Sequence, residues 1–274
     1  MNDNIRLAQK QDIPSLCEIW KQCFEDSKEY IELFYHNNFE RIKAFIFVSE
    51  NKPVSMLHII DATLKDKGNS QPTWFIYATG TLPNYRKKGC MSALIKHVKE
   101  MADKNGYALC LKPSTASTKR FYKSFGFEEQ SALNLISINP TEMQQFSAYE
   151  LSFNEYNRMR ENAFDGIPHI EWSNAHIKWC VLENEYFSGK TLGIKYENKD
   201  YFLMGYPENN TLIINETDLT VNQIKNISNS LGSIFGTERI EAYMPAFCGE
   251  GEKAISIMLY NSQINNPYIN MIMI

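Results

Sequence analysis

A basic turn that contains a glycine separates an apolar strand from an amphipathic helix in the first half of this chain. Residues 73–82 are rich in aromatic, Thr and Ile residues, a composition typical of a central strand. The turn that follows reads Tyr85-Arg86-Lys87-Lys88-Gly89. Apolar residues then recur at spacings of three and four, at Met91, Leu94, Ile95, Val98, Met101 and Ala102. This order of elements predicts an α/β unit whose helix begins directly after the basic turn.

The start of that helix has the properties of an anion-binding site. The first backbone N–H groups of a helix lack intrahelical partners and carry partial positive charge, so they accept a phosphate or pyrophosphate directly. Each hydrogen bond to a charged group contributes about 1.5–3 kcal/mol, so a few of them would hold a pyrophosphate even in an acidic protein. Gly89 would let the backbone approach the ligand closely. The alternative is that the turn is only a solvated basic loop.

Two motifs in the right order resemble the GNAT superfamily of N-acetyltransferases. The first is Arg86-x-x-Gly89-x-Met91, preceded by Pro83 and Tyr85. Met91 is bulkier than the usual last residue of this signature. A large apolar residue at this position resembles the multi-domain, Eis-like branch of the superfamily. The second motif spans residues 117–127, where Tyr122 precedes a Gly-Phe pair as in the late helix of the family. The predicted element order β-α-α-β-β-β-α-β-α-β over residues 1–136 agrees with the same fold, a mixed central sheet flanked by helices.

The resemblance implies an acetyl-CoA site and a direct transfer chemistry without a metal or a covalent enzyme intermediate. The implied donor-binding residues lie on the central strand, in the basic turn and on the late helix: Tyr77, Ala78, Thr79, Thr81, Leu82, Arg86, Lys87, Lys88, Gly89, Cys90, Met91, Ser92, Ser117 and Phe121. Strand amides would pair with the pantetheine arm, and one N–H would polarise the thioester carbonyl. Tyr122 would act as the general acid that protonates the departing thiolate.

The sequence does not single out a general base. Some GNAT enzymes place a Glu on the central strand, but the equivalent position here is Phe75. His58 or Asp61 would act through water, and an Eis-like precedent points instead to the terminal carboxylate of Ile274. All three alternatives remain open at this point.

The length of 274 residues favours two compact domains, which we place at residues 1–138 and 139–274. A hairpin-strand-helix-strand order recurs in the second half, which predicts two tandem GNAT-like domains. The turn that corresponds to the basic one reads Glu216-Thr217-Asp218-Leu219-Thr220, with two carboxylates and no glycine. We therefore expect a degenerate second domain that shapes the acceptor cleft or an oligomer interface. The apolar run at residues 268–274 is expected to pack into a sheet or a partner.

Composition narrows the environment and the partners. The formal net charge of −4 and a pI near 5.8 argue against binding nucleic acid or an anionic membrane. The polar start, without a signal sequence or a long apolar run, predicts a cytoplasmic protein. The six cysteines include no C-x-x-C pair, so we expect reduced thiols. His176 and Cys180 share a helix face, but two ligands alone are weak evidence for a metal, and Cys90 is more plausible as a structural residue than as a nucleophile.

These observations predict an acetyl-CoA-dependent N-acetyltransferase that acts on a primary amine of a small molecule or peptide. If the second domain forms an oligomer interface, the protein is a homo-oligomer. The alternative is a non-catalytic CoA-binding or regulatory module that has kept the fold without turnover. A third reading is a purely structural interaction protein that binds no acyl-CoA.

Overall fold

The computed structural model describes residues 4–270, and its element order matches the predicted one over the first half of the chain. The helices are α1 Ile13–Cys23, α2 Lys28–Asn38, α3 Cys90–Asn105, α4 Ala116–Lys123, α5 Phe153–Phe164, α6 Asn174–Tyr186, α7 Val221–Asn226 and α8 Ser228–Phe235. The strands are β1 Ile5–Leu7, β2 Lys43–Ser49, β3 Lys52–Asp66, β4 Asn69–Thr81, β5 Ala108–Leu111, β6 Glu128–Ile138, β7 Ser147–Glu150, β8 His169–Trp172, β9 Lys190–Tyr196, β10 Lys199–Glu208, β11 Thr211–Thr217, β12 Arg239–Pro245 and β13 Glu252–Tyr260. The fold is therefore the predicted mixed α/β type, and among the described helices none is both long and apolar enough to cross a membrane.

The chain divides into two compact units that are discontinuous in sequence. Unit 1 contains the residues up to Thr63, Ser70–Glu128 and Met258–Gln263. Unit 2 contains Leu64–Asn69, Glu129–Ile257 and the residues from Ile264 onward. The domain boundary at residue 138 that we drew from the sequence remains a prediction. No single boundary in the sequence separates the compact units, because Leu64–Asn69 belongs to unit 2 and Met258–Gln263 belongs to unit 1.

Unit 1 is built on a sheet in which β1, β2, β3, β4 and β5 are neighbours in that order. The β1–β2 and β2–β3 pairs are antiparallel, whereas β4 and β5 are parallel. Residues 65–72 are polar and typical of a loop, but Lys65 and Asp66 continue β3 and the residues from Asn69 belong to β4. Only Lys67 and Gly68, both with positive φ, turn the chain between the two strands. This unbroken polar run lacks the apolar alternation of a half-buried strand, so the extension cannot be recognised from the sequence.

The helices of unit 1 cover this sheet through apolar faces that the sequence spacing predicts. Gly80 on β4 allows α1 to approach closely, since a Cβ there would lie 3.1 Å from Cγ2 of Ile19 and 3.2 Å from Sγ of Cys23. Helix α3 packs on β2 and supplies much of the buried core. That core consists of Phe45, Leu57, Ile59, Trp74, Ile76, Leu94, Ile95, Val98, Ala102, Leu109, Leu111, Tyr122, Phe127 and Met258.

The last strand of unit 1 comes from the far end of the chain. Met258–Tyr260 of β13 runs antiparallel to β5, with Met258 opposite Leu111 and Tyr260 opposite Leu109. Met258 is completely buried, and the Tyr260 hydroxyl donates to Oδ1 of Asp103 at 2.9 Å. Strand β6, which lies at the end of the predicted first domain, pairs antiparallel with β12 and belongs to unit 2 from Glu129 onward.

Unit 2 repeats the order of unit 1. Strands β9, β10 and β11 are antiparallel neighbours, and β11 is parallel to β12, as β4 is to β5. Helices α5 and α6 pack on β9 and β10, and α8 packs on β12. The duplication that the sequence predicts is thus present in the fold. The helix that follows β11 in this repeated order is divided into two, α7 and α8, and strands β7, β8 and β13 were not predicted.

Candidate active site

The central feature of unit 1 is the end of the pairing between β4 and β5. Their parallel register runs from Thr73 opposite Ala108 to Ile76 opposite Leu111, where β5 ends. Strand β4 continues to Thr81, and its residues change from buried at Ile76 to half-buried at Tyr77, Ala78 and Thr79. The strands therefore separate at a point where the edge of β4 is available to an extended ligand that pairs like an added strand.

Tyr122 lies at this point of separation. Helix α4 begins at a reciprocal capping box between Thr115 and Thr118, which fixes the short helix. Its Tyr122 side chain is 5% exposed, and the phenolic oxygen lies 2.9 Å from Oγ1 of Thr79 on β4. Burial raises the pKa of Tyr122, while the hydrogen bond with Thr79 offsets part of that effect. The phenol is therefore protonated at neutral pH and held against the edge of β4.

The basic turn between β4 and α3 has the backbone that an anion site needs. Pro83–Tyr85 forms one turn of 3₁₀ helix, and the Arg86 side chain donates from Nε to the Thr81 carbonyl at 3.1 Å. Gly89 is the N-cap of α3 with φ of 84°, a left-handed conformation that glycine adopts without strain. No heavy atom lies within 4 Å of the position where a Cβ at Gly89 would stand. Gly89 also has no side chain with which to cap the first amides of the helix.

The remaining predicted donor-binding residues fall into three settings. Lys87 and Lys88 in the turn have exposed side chains, and Lys88 Nζ lies 5.1 Å from the centroid of the Tyr85 ring. Half-buried ones lie on α3, on α4 and just after β4, at Met91, Ser92, Phe121 and Leu82, while Ser117 is exposed near the start of α4. Cys90 is buried, its thiol points to the Tyr85 carbonyl at 3.8 Å, and burial raises its pKa. That environment suits a structural cysteine rather than a nucleophilic one.

The three candidate bases have different surroundings. His58 is completely buried, and both of its ring nitrogens are in hydrogen bonds, to Tyr35 and to Ala78, which leaves no nitrogen for a water molecule. Asp61 is bound to Lys43, with Oδ1 2.6 Å from Nζ. The carboxylate of Ile274 lies outside the described residues. The network around His58 could not be inferred from the sequence, because its members come from α2, β3 and β4.

Among the described residues of unit 2, the turn that corresponds to the basic one is occupied by contacts within the chain itself. Helix α7 is capped by Thr220 and Gln223, whose side chains each accept from the other's backbone N–H. Glu216 is buried and neutralised by Arg160, with Oε2 2.9 Å from Nε. Asp218 accepts from the Phe202 amide at 2.8 Å, and burial raises its pKa to about 6. The corresponding helix start is therefore already satisfied by its own chain.

The last residues that the structure describes lie against β11 in unit 2. The parallel pairing of β11 with β12 ends at Ile214 and Ala242. The next carbonyl, that of Asn215, accepts from the side chain of Asn270, whose own carbonyl accepts from the Trp172 indole at 2.8 Å. Tyr268, Ile269 and Asn270 are all buried, as expected for the part of the apolar run that the structure describes. Residues 271–274 of that run lie outside the described residues.

His176 and Cys180 do face each other on α6, with Sγ 3.3 Å from Nε2. Burial raises the pKa of the Cys180 thiol well above its usual value, which disfavours the thiolate that a metal requires. Over residues 4–270 no three His, Cys, Asp or Glu side chains converge as a metal site would require.

Comparison with known structures gives the same fold over nearly the whole chain. A GCN5-related N-acetyltransferase from Anabaena variabilis superposes with a TM-score of 0.71 at 16% identity, covering 93% of this chain and 72% of that one. Eis1 from Mycobacterium abscessus gives 0.64 at 11% identity, with coverages of 88% and 66%. A tandem GNAT protein from the clavulanic acid biosynthesis pathway gives 0.57 at 9% identity, with coverages of 93% and 98%. No curated protein sequence matches the chain.

The sequence itself matches a family model over the segment that carries the site. The model describes the acetyltransferase (GNAT) domain and matches residues 4–129. That range holds β4, the basic turn, α3 and Tyr122, and the structural neighbours include both an Eis protein and a tandem one. Residues 4–129 of this chain are therefore an acetyltransferase domain of the GNAT superfamily.

Proposed function

We propose that the protein transfers an acetyl group from acetyl-CoA directly to a primary amine of a small molecule or a peptide. The observation that carries the proposal is the hydrogen bond between Tyr122 and Thr79 at the end of the β4–β5 pairing. It joins a protonated acid to the strand edge on which an extended acyl donor fits. Acyl transfer is the chemistry of the family, whereas the acetyl group and the amine are our proposal.

In this proposal the chain's own residues hold the donor from end to end. The amides of Gly89, Cys90, Met91 and Ser92 point outward at the start of α3 and bind the pyrophosphate, since no cap occupies them. The exposed Lys87 and Lys88 add positive charge there. The edge of β4 from Tyr77 to Leu82 binds the pantetheine arm, and Ser117 and Phe121 of α4 border it. The donor supplies an activated acetyl thioester to the end of this strand.

Tyr122 then acts on the leaving group. A Cys-like thiol has a pKa near ~8.5, so the departing thiolate is basic enough to take a proton from a nearby phenol. Burial keeps the phenol protonated until that moment. The amine attacks in its neutral form, and the proton that it loses as the amide forms returns through solvent to the Tyr122 phenolate. All six cysteines carry thiols rather than disulfides, which supports the cytoplasm as the proposed setting, where acetyl-CoA is available.

Donor binding can be tested by isothermal titration with acetyl-CoA of the wild type and a Gly89→Glu variant. We expect the variant to bind about tenfold to a hundredfold more weakly, because it adds a carboxylate beside the pyrophosphate and strains a left-handed position. The matched control is Gly106→Glu at the other end of α3, where φ is 71° and the space is also open. It carries the same charge and strain and should keep the wild-type affinity. Absence of binding by the wild type would rule out the acetyltransferase proposal.

We expect the same titration to show one donor molecule bound per chain. Although the fold is duplicated, α7 is capped by Thr220 and Asn270 occupies the Asn215 carbonyl in unit 2. The stoichiometry fitted for the wild type should therefore be one, and Gly89→Glu should show one weakened site and no second site that keeps the wild-type affinity. Two sites, with one surviving in the variant, would show that unit 2 also binds an acyl-CoA.

A further inference from the structure

The backbone of β4 is distorted at Ala78, the residue before Thr79. Ala78 has a φ of 42°, a left-handed value that is uncommon for a residue with a Cβ. Such a conformation is strained in a residue that has a Cβ, so surrounding contacts must maintain it. The distortion falls two residues beyond Ile76, where the pairing with β5 ends. It therefore sets the direction of the peptide groups at the proposed acyl site.

A buried chain of hydrogen bonds ends on this distorted residue. Nδ1 of His58 lies 3.2 Å from the Ala78 carbonyl oxygen, and Nε2 lies 3.1 Å from the Tyr35 hydroxyl. His58 is 0% exposed, and burial lowers its pKa to about 4, so the ring is neutral. A carbonyl can only accept, which places the imidazole proton on Nδ1. Nε2 is then an acceptor, and the Tyr35 hydroxyl donates to it.

The direction of the Ala78 carbonyl determines the direction of the next amide. In a trans peptide the C=O and the following N–H point to opposite sides, and the structure contains no cis peptide among its described residues. His58 of β3, the strand beside β4, holds the Ala78 carbonyl toward its own imidazole ring. The N–H of Thr79 therefore points away from the His58 ring, at a height where β4 has passed the end of its pairing with β5 at Leu111.

Thr79 thus brings two functions to the same place. Its side chain lies within hydrogen-bond distance of the Tyr122 hydroxyl, at 2.9 Å, and its N–H belongs to the peptide group whose carbonyl His58 holds. An amide fixed in this direction can donate to the carbonyl oxygen of an acyl group, and a prearranged donor of this kind contributes about 10²–10³ in rate. An amide free to rotate with an unstrained Ala78 would lose that alignment.

We propose that His58 is a positioning residue for acyl transfer: by holding the Ala78 carbonyl, it keeps the Thr79 N–H directed at the acyl carbonyl of the donor. The proposal rests on the proposed function, because it assigns the acyl group to this side of β4. It also gives His58 a role other than the general base considered from the sequence. Tyr35 supports it by fixing the tautomer.

The test compares His58→Asn with His58→Leu in the full-length chain. The side-chain amide of Asn places an N–H near the position of Nδ1, whereas Leu fills the space without a donor. We expect His58→Leu to lower kcat by about a hundredfold, with affinity for acetyl-CoA unchanged within about twofold. His58→Asn should recover most of the loss. Equal losses in both variants, or full activity in His58→Leu, would overturn the proposal.

A second readout needs no acceptor amine. In protein labelled with ¹⁵N-threonine, the Thr79 amide proton should shift when CoA is replaced by acetyl-CoA, because only the latter offers a carbonyl. The shift should disappear in His58→Leu and persist in His58→Asn. If His58→Leu does not fold, Tyr35→Phe carries the test, with a smaller fall in kcat and unchanged donor affinity expected, and an unchanged kcat contradicting the role. Failure of the wild type to bind acetyl-CoA would instead remove the proposed function itself.

Discussion

A Tyr122→Phe variant should lose nearly all transfer while still binding acetyl-CoA. The change removes only the phenolic oxygen that lies 2.9 Å from Oγ1 of Thr79. The ring remains in the core beside Phe127 and Phe121, so packing is retained. General acid catalysis contributes typically 10²–10⁴ in rate, and we expect kcat to fall within that range. Steady-state kinetics with an amine that the wild type acetylates, together with a donor titration, measures both quantities.

The matched control for this prediction is Tyr260→Phe in the same unit. That variant also removes a tyrosine hydroxyl from a hydrogen bond, here the one to Asp103. Tyr260 lies on β13, however, whereas the proposed site lies on β4, the other neighbour of β5. It should keep kcat within about twofold, as surface changes away from a site usually do. If Tyr122→Phe also turned over at the wild-type rate, Tyr122 would have no part in the mechanism. If the wild type bound the donor but acetylated no amine, the non-catalytic CoA-binding alternative would be favoured.

The local parts of the site were predictable because they depend on short stretches of sequence. The spacing of Arg86 and Gly89 determines the turn, and the apolar period after Met91 determines α3. The left-handed conformation of Gly89 agrees with the presence of a glycine there. Likewise, the late helix places Tyr122 inward because the apolar residues Phe121, Phe125 and Phe127 follow or precede it within a few positions and pack around it or one another. In each of these cases the information lies within about one turn or one loop.

The parts that could not be predicted depend on contacts between distant residues. Ala78 gives no signal of a positive φ, since the strain is maintained by His58 from another strand. The capping of α7 was visible in Thr220 and Gln223, but the burial of Glu216 by Arg160 was not. We therefore expected charge repulsion in the second turn, whereas the carboxylate is in fact paired. The place of β13 beside β5 has the longest sequence separation of these contacts, and an apolar alternation alone cannot identify its partner strand.

A fragment of residues 1–138 should fail to fold as a stable domain, although it contains every residue that we assign to catalysis and donor binding. The fragment lacks Met258–Tyr260, which pairs with β5 and completes the core of unit 1. Without that segment β5 becomes an exposed, wholly apolar edge strand, which favours aggregation. We expect no cooperative unfolding transition by circular dichroism and no binding of acetyl-CoA.

A point variant separates this effect from truncation. Met258→Ala in the full chain removes a side chain that is 0% exposed, and such a change costs about 2–5 kcal/mol in the free energy of unfolding. Met143→Ala is the control, since Met143 is 70% exposed and its loss should cost no more than about 0.5 kcal/mol. Urea titrations of both variants measure the difference. If the fragment nevertheless folded and bound acetyl-CoA, β6, which it retains, would have to take the place of β13 beside β5, and the exchanged strand would be dispensable for the site.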